Sequence, residues 1–307
     1  MKPASRVWLV LGAVAAVCVL SVLYVYRLRD RSGRDTGSLL RRLPLDNTIV
    51  LHVDFAALRA AGILELLNPE AAPEQDYLEF VRSSGFDYQQ HLDRSLVAFT
   101  GPETYLILQG RFDWSRLNEH VVNEGGSCYN TYCRLRGSRP DRLISFFPLN
   151  PRVMAMAVSR DWGAADSLKQ ERFAQVPFQA PAWPVWLRVP PDRLRGAQGS
   201  LPAPAQRFAR AIETAEEILI GAAADGLQMR AELAVRCSSR DDAGRLAAEL
   251  RQATIVLSQG VRSQSPGAEP DSLAALLAAG TFSENERVVR GQWPVDRAFL
   301  QSLAAAP

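Results

Sequence analysis

The sequence predicts an α+β fold: an N-terminal transmembrane helix followed by two similar halves of antiparallel β-hairpins, with helices packed on one face. Three observations predict it. The stretch Val7–Tyr26 is apolar and uncharged throughout. Beyond it, short apolar runs are joined by tight-turn signals, as in hairpins. The order strand, tight turn, strand, capped helix then recurs on both sides of a Pro-rich stretch, as an internal repeat would.

The apolar run reads VWLVLGAVAAVCVLSVLYVY. As a helix it spans roughly 30 Å, the thickness of a bilayer's hydrocarbon core. Trp8, Tyr24 and Tyr26 stand where interfacial aromatics are favoured, with Arg6 and Arg27 bracketing the run. A cleaved signal peptide fits less well, because the run exceeds the usual ~7–15 residues and no small-x-small site follows. Cys18 is preceded by Val17, where a lipoprotein would carry a small residue. The segment therefore reads as a single-pass signal anchor whose partner is the lipid bilayer. Residues 27–42, RLRDRSGRDTGSLLRR, read as a basic juxtamembrane tether attracted to anionic headgroups. Counted literally, flanking charge places the body in the cytoplasm. The short basic tail leading into the run, together with Cys128 and Cys133, favours an extracytoplasmic, periplasmic body instead.

The chain divides into a tail (1–6), the span (7–26), the tether (27–42), a first α+β half (43–174), a Pro-rich linker (175–184) and a second half (185–307). In the first half Thr48–Val53 is a strand ending at Asp54, and FAALRAAGILELL turns helical. After a loop at 68–75, Tyr77–Ser83 forms a short helix closed by Gly85. Ser95–Thr100 and Thr104–Arg111 are strands joined at Gly101-Pro102. Asp113 caps a helix carrying Trp114, Leu117 and Val121, which Gly125-Gly126 stops. Leu143–Pro148 and Val153–Ser159 pair through LNPR, and a helix follows at Ala164–Arg172.

In the second half Val185–Val189 is a strand and Ala205–Leu219 a helix with Phe208, Ile212, Ala215 and Leu219 on one side. Leu227–Val235 alternates cleanly, with Gln228, Arg230 and Glu232 on the polar side. Ser239 and Asp242 form a capping box for a helix over Asp241–Ser258 that Gly260 ends. The strand VVRGQW and a terminal helix from Pro294-Val295-Asp296 complete the half. Val53…Leu58-Arg59 matches Val189…Leu194-Arg195 in spacing.

Composition narrows function mainly by exclusion. With 47% hydrophobic and 22% charged residues and a net charge of +2, the chain folds and lacks the basic stripe of a nucleic-acid binder. No phosphate-binding glycine loop and no G-x-S-x-G is present, and Lys169 is the one lysine beyond Lys2. Asp241-Asp242 and Glu216-Glu217 read as solvated or dipole-complementing pairs. Trp183 and Trp186 read as a wedge in the core or between the halves. No catalytic, metal or cofactor-binding residue is assigned.

Three constellations merit weighing. Cys128 and Cys133, five residues apart across a turn at Asn130, are a candidate disulfide. With His120 they could be metal ligands, but a lone C-x4-C and one histidine is too little for that reading. His52 and Asp54 share a face of one strand, more often a structural pair than an acid–base one.

The strand ending at Asp54, then Leu58-Arg59, Gly110-Arg111-Phe112-Asp113 and Gly291-x-Trp293-Pro294-Val295-Asp296-Arg297, resemble a class of uncharacterised bacterial single-pass envelope proteins. These carry one N-terminal anchor and a duplicated α+β body. The resemblance implies location and architecture, and no site residues. The expected function is a membrane-anchored envelope module, non-catalytic, meeting another envelope protein or itself. The alternatives are an envelope hydrolase assembled from His52, Asp54 and His91, and a lipid- or ligand-binding body.

Overall fold

The two strand-rich halves fold into a single sheet, because each contributes its first strand to a shared seam. The computed structural model describes residues 36–66, 75–137, 139, 141–173, 175–176, 178–197, 199, 203–225, 228–264, 273–296 and 299. The apolar run Val7–Tyr26 lies outside them, and among the described residues no helix is long and apolar enough to cross a membrane.

The first half opens with helix α1 (Thr36–Leu40) and strand β1 (Ile49–Val53), rich in β-branched residues. Asp54 Oδ1 then accepts the Ala57 N–H at 2.8 Å and caps α2 (Phe55–Ala60), a contact worth about 1 kcal/mol. Short helices α3 (Ile63–Leu66), α4 (Gln75–Ser84) and α5 (Tyr88–His91) lead to the hairpin β2 (Leu92–Phe99) and β3 (Thr104–Gly110). Helix α6 (Trp114–Asn123) is capped by Asp113, as predicted. Strands β4 (Ser127–Tyr129) and β5 (Tyr132–Arg136) turn at Asn130-Thr131, both at positive φ, a two-residue turn whose twist suits a hairpin. The hairpin β6 (Leu143–Asn150) and β7 (Val153–Ser159) closes the half.

The second half repeats the plan with fewer strands: β8 (Val185–Val189), α7 (Pro191–Ala197), α8 (Ala203–Ile212), the hairpin β9 (Glu217–Asp225) and β10 (Gln228–Arg236), α9 (Arg240–Gln264), α10 (Leu273–Ala278), and the hairpin β11 (Thr281–Asn285) and β12 (Val288–Val295). The strand order is β11-β12-β10-β9-β8-β1-β2-β3-β7-β6-β5-β4, antiparallel throughout. At the seam Leu51 pairs with Leu187, and these two hold the same place in their halves.

One face of the sheet carries most of the helices. Leu117 and Val121 of α6 pack on Phe146 and Met154. Phe208 of α8 and Leu246 and Leu250 of α9 pack on Ile218, Leu233 and Val289. Leu58 and Ile63 pack on Met229 and Val295. The expectation of helices on one face needs an amendment, because α1 and the 3-10 turn Ala164–Leu168 roof the opposite face of the first half.

Several boundaries are corrected. The body does not begin at 43: Leu39 and Leu40 of the supposed tether are buried in the core, and each apolar side chain so buried contributes roughly 1.5–3 kcal/mol. Arg41 pairs with Glu171 at 2.8 Å and Arg42 donates to the Lys169 carbonyl at 2.6 Å, so both serve the body. The segment 175–184 joins the halves and contributes to the core, since Phe178 is buried edge-on to Trp186 while β1 pairs with β8. Helix α8 ends at Ile212, because the apolar residues from Ile218 pair with β8 and β10. The 164–172 helix is only the 3-10 turn. Helix α9 keeps its predicted Ser239–Asp242 cap but runs through Gly260, whose cost of about 1 kcal/mol does not stop a long helix.

Candidate functional site

The short motifs that mark this sequence position the backbone. Arg59 donates from Nε to the Gln89 carbonyl at 2.8 Å and from Nη2 to the Leu92 carbonyl at 2.7 Å. Arg195 donates from Nη1 to the Glu213 carbonyl at 2.8 Å. Each arginine thus ties the helix after its half's first strand to the approach of the second strand. Gly110 is required by packing: a Cβ there would lie 2.4 Å from the His91 carbonyl oxygen. Asp113 and Asp296 each accept a backbone N–H three residues on.

His52, Asp54 and His91 are not drawn together. Asp54 is divided between its cap and an ion pair with Arg94 at 3.1 Å. His91 Nδ1 accepts the Asp87 N–H at 3.0 Å, and its ring lines a groove of about 660 Å³ with Arg111, Phe112, Trp114 and Arg152. Neither His52 nor Asp54 lines that groove. His52 lies inside the sheet on the roofed face, flat against Trp186, and neither ring nitrogen has a hydrogen-bond partner. Burial lowers its pKa to about 4, with Arg94 adding to the shift and Asp54 opposing it. A neutral, enclosed imidazole with nothing to bond is poorly placed for proton transfer.

Cys128 and Cys133 face each other across β4 and β5, with an Sγ–Sγ distance of 2.03 Å and Cα atoms 4.0 Å apart. His120 turns elsewhere, its Nδ1 2.9 Å from Ser83 Oγ and its ring edge-on to Phe80. Among the described residues no group of three His, Cys, Asp or Glu side chains could hold a metal ion. Cys237 is buried at the end of β10, where burial pushes its thiol pKa up.

The register reveals a polar constellation that sequence reading missed. Followed outward from the seam, His52, Arg94 and Gln109 stand on three adjacent strands of one face. The same count in the second half reaches Arg188, Glu217 and Arg236. The first trio is roofed. The second opens into a cavity of about 620 Å³ walled by Val176, Phe178 and Gln179. There Glu217 stands between Arg188 Nε at 3.6 Å and Arg236 Nε at 3.4 Å, and the Arg188 guanidinium lies 4.9 Å over the Phe178 ring.

The rest of that face diverges between the halves in a consistent way. Tyr105, Ala155 and Ala157 of the first half lie beneath the α1 roof. Their counterparts by register are Glu232, Arg290 and Gln292. Arg290 and Gln292 are exposed, while Glu232 is buried between Arg230 Nε at 3.7 Å and Gln292 Nε2 at 3.4 Å. Apolar residues occupy the face that is covered and polar residues the face that no described residue roofs.

No protein-family model matches the chain, and no curated protein does. Among solved structures, crystal forms I, III and IV of TP0453 are similar, with 8%, 9% and 9% sequence identity and TM-scores of 0.49, 0.49 and 0.47. The matches cover 89%, 87% and 88% of this chain and 98%, 98% and 96% of those chains.

Proposed function

We propose that this chain is a membrane-anchored, non-catalytic envelope module that presents the bare sheet face of its second half to an acidic surface on a partner protein. One observation carries the reading. Among the described residues no helix covers in the second half the face that α1 roofs in the first, and there Arg230 and Arg290 flank Glu232. Positive charge in excess on a sheet face steers and orients an acidic partner more than it adds raw affinity. The apolar run Val7–Tyr26 supports an anchor, and the Cys128–Cys133 pair supports an oxidising, extracytoplasmic setting. The repeated strand and helix order supports an origin by internal duplication.

The test is site-specific photo-crosslinking in cells, with the crosslinker at Gln292 on the bare face or at Arg82 on α4. A discrete adduct from Gln292, none from Arg82, and its loss on Arg290→Glu is the expected outcome. An adduct of twice the chain's mass would replace the acidic partner with self-association. Equal labelling from both positions, or none from Gln292, would overturn the reading.

A further inference from the structure

The cavity beside Arg188 and Arg236 is charged out of balance. Two guanidiniums face one carboxylate, Glu217, while Glu216 at the rim is occupied by Arg287 at 2.5 Å. The equivalent trio in the first half is balanced, since Arg94 has Asp54 and neither His52 nor Gln109 carries charge at neutral pH. Arg188 donates from Nη1 to the Leu45 carbonyl at 3.2 Å, yet its buried Nε has no hydrogen-bond acceptor. A guanidinium offers five N–H donors in a fixed plane, the geometry that accepts a second carboxylate side by side with the first. The wall beside it is apolar and firm: Phe178 is buried, packed edge-on to Trp186 at 5.8 Å, with Val176 next to it. The volume falls within the range of small-molecule sites.

We propose that this cavity binds a small organic acid, its carboxylate between Arg188 and Arg236 and a flat apolar body against Phe178 and Val176. The Gln179 amide at the rim adds a hydrogen-bonding group of either sense. This inference is independent of the partner face, because Arg290 lies outside the cavity.

The experiment uses the full chain in non-ionic detergent, with 4-(trifluoromethyl)benzoate followed by fluorine NMR. Saturable binding is expected for the acid, weakened by about tenfold or more in 4-(trifluoromethyl)benzyl alcohol and in Arg236→Gln, the scale of one lost charge-assisted bond. Acetate, which lacks the flat body, does not displace the probe at the same concentration. Glu217→Gln removes the competing carboxylate and tightens binding, a gain that damage to the fold could not produce. Arg290→Glu leaves binding unchanged. Equal binding of acid and alcohol, unchanged binding in Arg236→Gln, or weakened binding in Glu217→Gln would each overturn the proposal.

Discussion

The imidazole of His52 lies flat on the indole of Trp186 across the seam, ring centroids 5.1 Å apart and planes 14° from parallel. Trp186 is almost wholly enclosed, so this stack joins the halves in the dry interior. It ties the junction of the two halves to a titratable group held neutral.

The first prediction follows from that group. The folded pKa of His52, about 4, lies below its ordinary value of 6.5, so the folded state excludes a proton that the unfolded chain accepts. The stabilisation is therefore complete above pH 6.5 and is lost as pH falls through that value toward 4. The loss amounts to about 3 kcal/mol. Urea unfolding of wild type and His52→Phe at pH 7.5, 5.5 and 4.0 isolates it, since carboxylate titration is shared by both chains. The difference between them should grow in favour of the phenylalanine variant as pH falls; a constant difference would refute the account. At pH 7.5 the variant should already be the more stable by about 1 kcal/mol, because it removes buried polar atoms without partners.

The two Leu-Arg motifs give a paired test. Arg59 makes two hydrogen bonds to backbone carbonyls and Arg195 one. Bonds from a charged donor contribute about 1.5–3 kcal/mol each where shielded from water and less where exposed. Arg59→Ala should therefore lower the unfolding free energy by about 2 kcal/mol and Arg195→Ala by less than half that. Denaturant midpoints at constant slope measure both. Equal losses, or none, would remove the motif's assigned role.

How much of this was legible in the sequence depends on the distance over which the information is carried. Asp113 and Ser239 were readable as caps because the N–H groups they satisfy lie within three residues. The alternation along β10 was readable because Met229, Leu233 and Val235 are buried on one face while Arg230 is half-buried and Arg236 exposed on the other. The segment 205–219 misled because Phe208, Ile212, Ala215 and Leu219 keep a helical spacing although the helix stops at Ile212. The last of them belongs to a strand whose partners lie elsewhere in the chain. The trio Arg188, Glu217 and Arg236 was invisible for the same reason: no local pattern joins residues on three strands until the register is known. Glu216-Glu217 read as a solvated pair, yet Glu217 is enclosed between arginines and Glu216 meets Arg287.

The core role of α1 separates a folded start from a mere tether. Leu40 is fully buried beside Val50 and Leu168. Leu40→Ala should cost about 2–5 kcal/mol, the range for a leucine truncated in a packed core. Arg207→Ala, at an exposed position of α8, serves as the control and should change stability by less than ~0.5 kcal/mol. Thermal unfolding compares the two. A melting temperature unmoved by Leu40→Ala would show that the segment does not belong to the core.

The hairpin at Cys128 and Cys133 links stability to compartment. A disulfide closing so short a loop restrains the unfolded chain by about 2 kcal/mol in the chain-entropy description. Cys128→Ser with Cys133→Ser should lower the unfolding free energy by roughly that amount, and added reductant should do the same to the wild type. Thr131, a β-branched residue at φ 66 in the turn between them, holds a conformation that glycine adopts freely. Thr131→Gly should therefore recover about 1 kcal/mol in the serine double variant. Alkylation of the chain in intact cells, before any reduction, decides the compartment. Protection of both thiols until reductant is added places the hairpin in an oxidising space, whereas immediate labelling of Cys128 and Cys133 places the body in a reducing one and overturns the periplasmic proposal.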